Sequence, residues 1–118
     1  MRMKYIMVKF DHEHAGAVVA PILFPDVINH SDMMANLERR PHRAELVSAG
    51  FVEIYAKGDD TTVHCFGESE SLSGSHPHTN KTRGAVDAHI IKSVTQGWTC
   101  STVEYQEKWG CKTSSTPG

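Results

Sequence analysis

The chain lacks any uninterrupted apolar run approaching the ~20 residues that a membrane-spanning helix needs. Its first ten residues, M-R-M-K-Y-I-M-V-K-F, alternate charge with hydrophobe instead of building the apolar core of a signal peptide. Both features point to a cytoplasmic protein. A surplus of positive charge is also missing: the formal net charge is -2, so there is no excess of Lys and Arg to displace the counterions of a nucleic acid. Neither G-x-x-x-x-G-K-[ST] nor G-x-G-x-x-G occurs, which removes the two commonest phosphate-cradling loops. Cysteine is scarce. Cys65 falls within an apolar strand pattern and reads as a buried thiol, while Cys100 and Cys111 would pair only under oxidising conditions.

Strong hydrophobes are few as well. Leu, Ile, Val and Phe make up 24 of 118 residues, near the lower edge for a globular chain, so the core should be small. Of these, 18 lie in residues 1–66 and only Val103 lies beyond residue 94. The expected organisation is one α+β domain over residues 1–94 and an appended polar tail over 95–118. The tail either docks through Trp98, Tyr105 and Trp109 or stays mobile. What the chain has in quantity is histidine. Eight imidazoles would carry the net charge from -2 to about +6 as the pH falls through their range.

Residues 4–10 alternate, with Ile6, Val8 and Phe10 on one side and Tyr5, Met7 and Lys9 on the other, as in a strand. A second strand over 17–24 makes a hairpin with it, and Pro21 within that run requires an edge position or a bulge. The segment H-S-D-M-M-A-N-L-E-R-R-P predicts a short helix over about 31–39, capped by Ser31 or Asp32. The run E-L-V-S-A-G-F-V-E-I-Y-A, broken at Gly50, predicts one bulged strand or two short ones. T-T-V-H-C-F is its hairpin partner across Lys57 to Asp60. From Thr82, a plausible cap, a second helix should run to about Val94 with Val86, Ile90, Ile91 and Val94 as its apolar stripe. The expected order is ββαββα: a small antiparallel sheet of about four strands, with two short helices covering one face.

Chemistry-bearing residues concentrate in two loops. D-H-E-H-A-G, residues 11–16, and the long aperiodic stretch 67–83 hold the pairs His12 with His14 and His76 with His78, four imidazoles of the kind that bind zinc. That set would make the protein a zinc-dependent hydrolase; surface polarity is the plainer reading. Asp11, Glu13, Glu68 and Glu70 supply an acidic surface for docking on a basic partner. Lys81 and Arg83 precede the second helix, where unpaired amides can hold an anion, so a small nucleotide is a third candidate ligand. His64 and Cys65 are adjacent and face opposite sides of a strand, which prevents them from acting together as a base and nucleophile.

The strings L-V-S-A-G-F-V (46–52), V-H-C-F-G-E-S-E-S-L (63–72) and D-A-H-I-I (87–91) resemble a group of small uncharacterised proteins encoded by phages and prophages. The resemblance covers about 45 residues and none of the tail. It implies a phage accessory factor in a bacterial cytoplasm that binds a host or phage protein, in one form a host defence protein, and the group offers no activity to carry over. The stretch S-G-S-H-P-H-T-N-K is longer than the corresponding loop of that group, so the histidine pairs gain nothing from it. The leading expectation is therefore a non-enzymatic protein-binding module without a cofactor, self-associating through the Pro21 edge strand or the tail aromatics.

Overall fold

The structure, a computed structural model, describes residues 2–12, 16–39 and 43–95, without the side chain of His12. It is α+β. Strands β1 (Arg2–His12), β2 (Gly16–Phe24), β3 (Glu45–Lys57) and β4 (Asp60–Phe66) form one antiparallel sheet in the order β2-β1-β3-β4. Helix α1 (His30–Glu38) lies between β2 and β3 in sequence, and helix α2, residues 85–95, follows β4. Trp98, Tyr105, Trp109, Cys100 and Cys111 lie outside the described residues, as do Glu13 and His14.

The two-fold alternation of β1 is buried on both sides. Tyr5, Ile6, Met7 and Val8 are each at most 1 % exposed, because β1 is a central strand with cover on either face. Ile6 and Val8 pack with Phe24, Leu46, Ala49 and α1's Met34, whereas Tyr5 and Met7 pack with Val52, Cys65 and α2's Ile91. The expectation that both helices share one face is thus corrected. A strand apolar on both faces needs a cover on each, and burying a side chain of this size contributes roughly 2 kcal/mol, so one helix goes to each side.

Pro21 pairs with Met7 on β2, a sheet edge, as its missing N–H requires. The irregularity of β3 lies at Val47 and not at Gly50: Met7 pairs with Ser48 and Val8 with Leu46, leaving Val47 as the extra residue of a bulge within one continuous strand. Helix α1 begins at His30, with Asn29 at the cap position making no side-chain capping bond, so neither Ser31 nor Asp32 caps it. In α2 the apolar stripe is rotated from the expected one. Val86 is 53 % exposed, while Asp87, Ile91 and Thr95 are buried.

Gly50 has a different function from a strand break. It pairs with Tyr5 at mid-sheet, and a Cβ there would stand 2.7 Å from the Phe66 carbonyl oxygen and 3.3 Å from Thr82 Cβ. Its bare backbone is what lets the chain cross the sheet between β4 and α2. Since the clash is with main chain, no rotamer relieves it; Gly50→Ala should lower stability by about 2 kcal/mol in urea unfolding, and an unchanged midpoint would contradict the close approach.

Candidate functional site: a cleft above His30

Residues 67–83 form an ordered loop whose ends meet. Glu68 and Lys81 make an isolated antiparallel bridge, and Thr82 N–H donates to the Gly67 carbonyl at 3.0 Å. Inside it, Ser69 N–H donates to Asn80 O and the Asn80 amide returns a bond of 3.0 Å to Ser69 O. Leu72, 1 % exposed, drops from the loop into the core beside Met34. A single anchoring leucine gives no periodicity, which is why a compact Ω-type loop looks structureless in sequence. The loop rests on α1 through Ser31 N–H, which donates to Ser71 Oγ at 3.1 Å, and through His76 Nε2, 3.0 Å from Glu38 Oε2.

Where loop, sheet and the start of α1 meet, a cleft of about 530 Å³ opens, lined by Glu68, Glu70 and Ser71 on one side and Lys4, Asn29, His30 and Phe51 on the other. His30 is its buried end. The imidazole stands edge-on to Phe24 and Phe51, with ring centroids at 5.4 and 5.6 Å, and Nε2 lies 2.8 Å from the Gly50 carbonyl oxygen. A carbonyl only accepts, so Nε2 carries the hydrogen and Nδ1 keeps its lone pair. Nδ1 has no bonding partner among the described residues. His30 thus lines the cleft with one ring nitrogen bonded and the other unpartnered. Burial holds the His30 pKa below the ordinary 6.5, against the Gly50 bond and with the Lys4 ammonium acting in the same direction. The ring is a neutral acceptor. Lys4 turns its ammonium to the Ile28 carbonyl at 2.9 Å and to Asp26 at 4.0 Å.

On the opposite face, α2 is fixed by a chain of polar groups. Tyr5 O–H donates to Asp87 Oδ2 at 2.5 Å, so the Thr82 hydroxyl, 2.6 Å from Tyr5 Oη, donates to it in turn and accepts from Gly84 N–H at 3.0 Å. Arg83 closes on the same carboxylate with its amide at 3.0 Å and Nε at 2.8 Å. Burial pushes the Asp87 carboxyl up. The bonds from Tyr5 and the Arg83 amide, the nearby Ser48 hydroxyl and the Arg83 guanidinium outweigh that and hold it below the usual carboxylate value. Ser48 acts from close by without making a hydrogen bond. Burial, with Asp87 adding to it, also pushes the Cys65 thiol up to about 11, which suits an inert core residue.

The structure brings Glu68 and Glu70 to one cleft and leaves Asp11 elsewhere. Asp11 is exposed on β1, opposite Ala17 and seven residues along the strand from Lys4, roughly 23 Å at the usual rise. Glu13 lies outside the described residues. Of the four zinc-ligand candidates, His14 and the His12 side chain lie outside them too. His76 has Ser75 Oγ 2.8 Å from Nδ1 and Glu38 on Nε2, and His78 is exposed. Among the described residues no three His, Cys, Asp or Glu side chains come close enough together to hold a metal ion. Of the anion-site pair, Arg83 is engaged with Asp87, and the amides of Arg83 and Gly84 already have side-chain acceptors, whereas Lys81 takes part in the loop-closing bridge through its main chain and its side chain is exposed. No helix among the described residues is long and apolar enough to cross a membrane.

His30, Tyr5 and Asp87 were not singled out by sequence. The spacing of Arg83 and Asp87, one helical turn apart, was the available signal for the second group. Nothing local marks His30. No protein-family model, curated protein or solved structure matches the chain.

Asp87→Ala should cost about 3 kcal/mol and Tyr5→Phe about 1–2 kcal/mol in urea unfolding at pH 7. Because the folded carboxyl sits below its unfolded value near 3.8, this contribution is complete above that pH and disappears as acid carries the solution through the folded value. The gap between wild type and Asp87→Ala should therefore narrow below about pH 4; a gap independent of pH would argue that Asp87 is uncharged.

Proposed function

We propose that the chain is a non-enzymatic protein-binding module that docks on a basic surface, taking a lysine or arginine side chain of its partner into the cleft between Glu68, Glu70 and His30. The observation that carries this reading is the chemistry of the cleft. Two exposed carboxylates stand at an opening whose buried end is a neutral imidazole with a free lone pair, so it offers acceptors to a donor-only group. A guanidinium or ammonium suits such acceptors, and the Phe51 ring beside them already holds one cation, the Arg2 guanidinium 4.5 Å from its centroid. Lys4 does not compete, since its ammonium is turned to Ile28 and Asp26.

A phage- or prophage-encoded accessory factor acting in a bacterial cytoplasm on a host protein, a defence protein among them, is the setting that the sequence pattern favours. Self-association belongs to the same proposal and uses β2. None of its nine residues is charged, and it flanks an apolar hollow of about 290 Å³ lined by Val8, Phe10, Ala20, Ile22, Leu37 and Ala44. Like strands without charge bring no repulsion when they meet.

A tetra-arginine peptide titrated into the protein should bind with EDTA present, weaken as salt is raised, and bind about tenfold more weakly to the Glu68→Gln/Glu70→Gln double variant. Both side chains are exposed, so that variant should keep its stability within about 0.5 kcal/mol. Equal affinity of wild type and variant would refute the docking mode. Native mass spectrometry of the same samples reads the subunit number, and a monomer at all concentrations would remove self-association.

A further inference from the structure

The sheet has two edges, and they differ. On β2 the proline interrupts the row of outward donors, whereas β4 runs from Asp60 to Phe66 without one. The β3–β4 hairpin turns through Gly58 and Asp59, with Gly58 at φ 62° and Lys57 paired with Asp60. In a two-residue hairpin the closing pair is hydrogen-bonded and the pairs alternate from there, so Thr61, Val63 and Cys65 direct their N–H and C=O groups away from β3. None of these three makes a backbone bond outside the strand ladder among the described residues.

Beside this open edge runs a groove of about 410 Å³. One wall is β4, with Val63 and Cys65; the other is α2, with Ala85 and Ala88 as small residues and His89 and Lys92 at the rim. Its lining holds one lysine and two histidines and no carboxylate, in contrast to the acid-lined cleft above His30. A strand edge, small side chains along the groove and a lysine at its rim suit the capture of an extended acidic segment.

We infer that β4 and α2 form a second protein-binding site, at which an extended segment of a partner protein adds to the sheet as a fifth strand beside β4. Its main chain pairs with Thr61 and Val63, while Cys65, 5 % exposed, is already covered. Alternate side chains enter the groove, β-branched ones against Val63 and Ala88 and a carboxylate toward Lys92 and His89. This site does not depend on the cleft above His30, and variants there leave it intact.

The test uses the whole chain and the peptide acetyl-Val-Thr-Glu-Thr-Val-Thr-amide, followed by amide hydrogen exchange. In the free protein the Thr61 and Val63 amides should exchange fast, and millimolar peptide should slow those two selectively. The Glu-to-Lys version of the peptide, and binding to Lys92→Glu, should each be weaker by roughly fivefold, and a peptide N-methylated at alternate residues should not bind. Three results would overturn the inference: no protection at several millimolar peptide, undiminished binding of the N-methylated peptide, or undiminished binding after charge reversal on either side. So would amides already slow without peptide. Slowness independent of concentration would assign the edge to the chain's own residues, and slowness rising with concentration would assign it to a second copy.

Discussion

Both helices are fastened to the sheet at one rung, the pairing of Tyr5 on β1 with Gly50 on β3. From one side His30, the first residue of α1, gives its Nε2–H to the Gly50 carbonyl; from the other, Asp87 of α2 takes the hydrogen of the Tyr5 hydroxyl. Hydrophobic burial brings the helices to their faces without fixing their positions along the strands. These two directed bonds fix them. The absence of a side chain at Gly50 completes the arrangement, since it leaves room for the chain to pass from β4 into α2 where Thr82 joins the Tyr5 network.

The strands were legible because alternation is a two-residue signal that survives in short runs, and Pro21 marked its own strand as an edge. The second helix was found, with Ile90 and Ile91 of its expected stripe packed on the sheet and Val86 and Val94 turned outward. Periodicity counts apolar residues, so it chose Val86 and Val94, whereas the buried side carries Asp87, an acid whose burial is made favourable by Tyr5 and Arg83. Both helices were assigned to one side of the sheet, though Tyr5 and Met7 are as buried as Ile6 and Val8 and need a cover of their own. For the site, composition identified Glu68 and Glu70. It could not supply their neighbours, because Lys4, His30 and Phe51 come from three separate elements and meet only in the folded chain.

Two surfaces of opposite character result from this layout. The cleft above His30 is lined by two carboxylates and a buried imidazole, and the β4–α2 groove by one lysine and two histidines beside a strand edge. They lie on opposite faces of the sheet, covered respectively by α1 with its loop and by α2. The rung at Tyr5 and Gly50 holds the two surfaces in register.

The state of His30 joins fold and function, since one nitrogen fastens α1 and the ring lines the cleft. Long-range ¹H–¹⁵N spectra of the imidazole ring across a pH titration read it directly. The account predicts a neutral ring at pH 7 with hydrogen on Nε2 and bare Nδ1, titrating below the ordinary 6.5. A ring protonated on Nδ1, or an imidazolium at pH 7, would contradict both the anchoring of α1 and the acceptor at the base of the cleft.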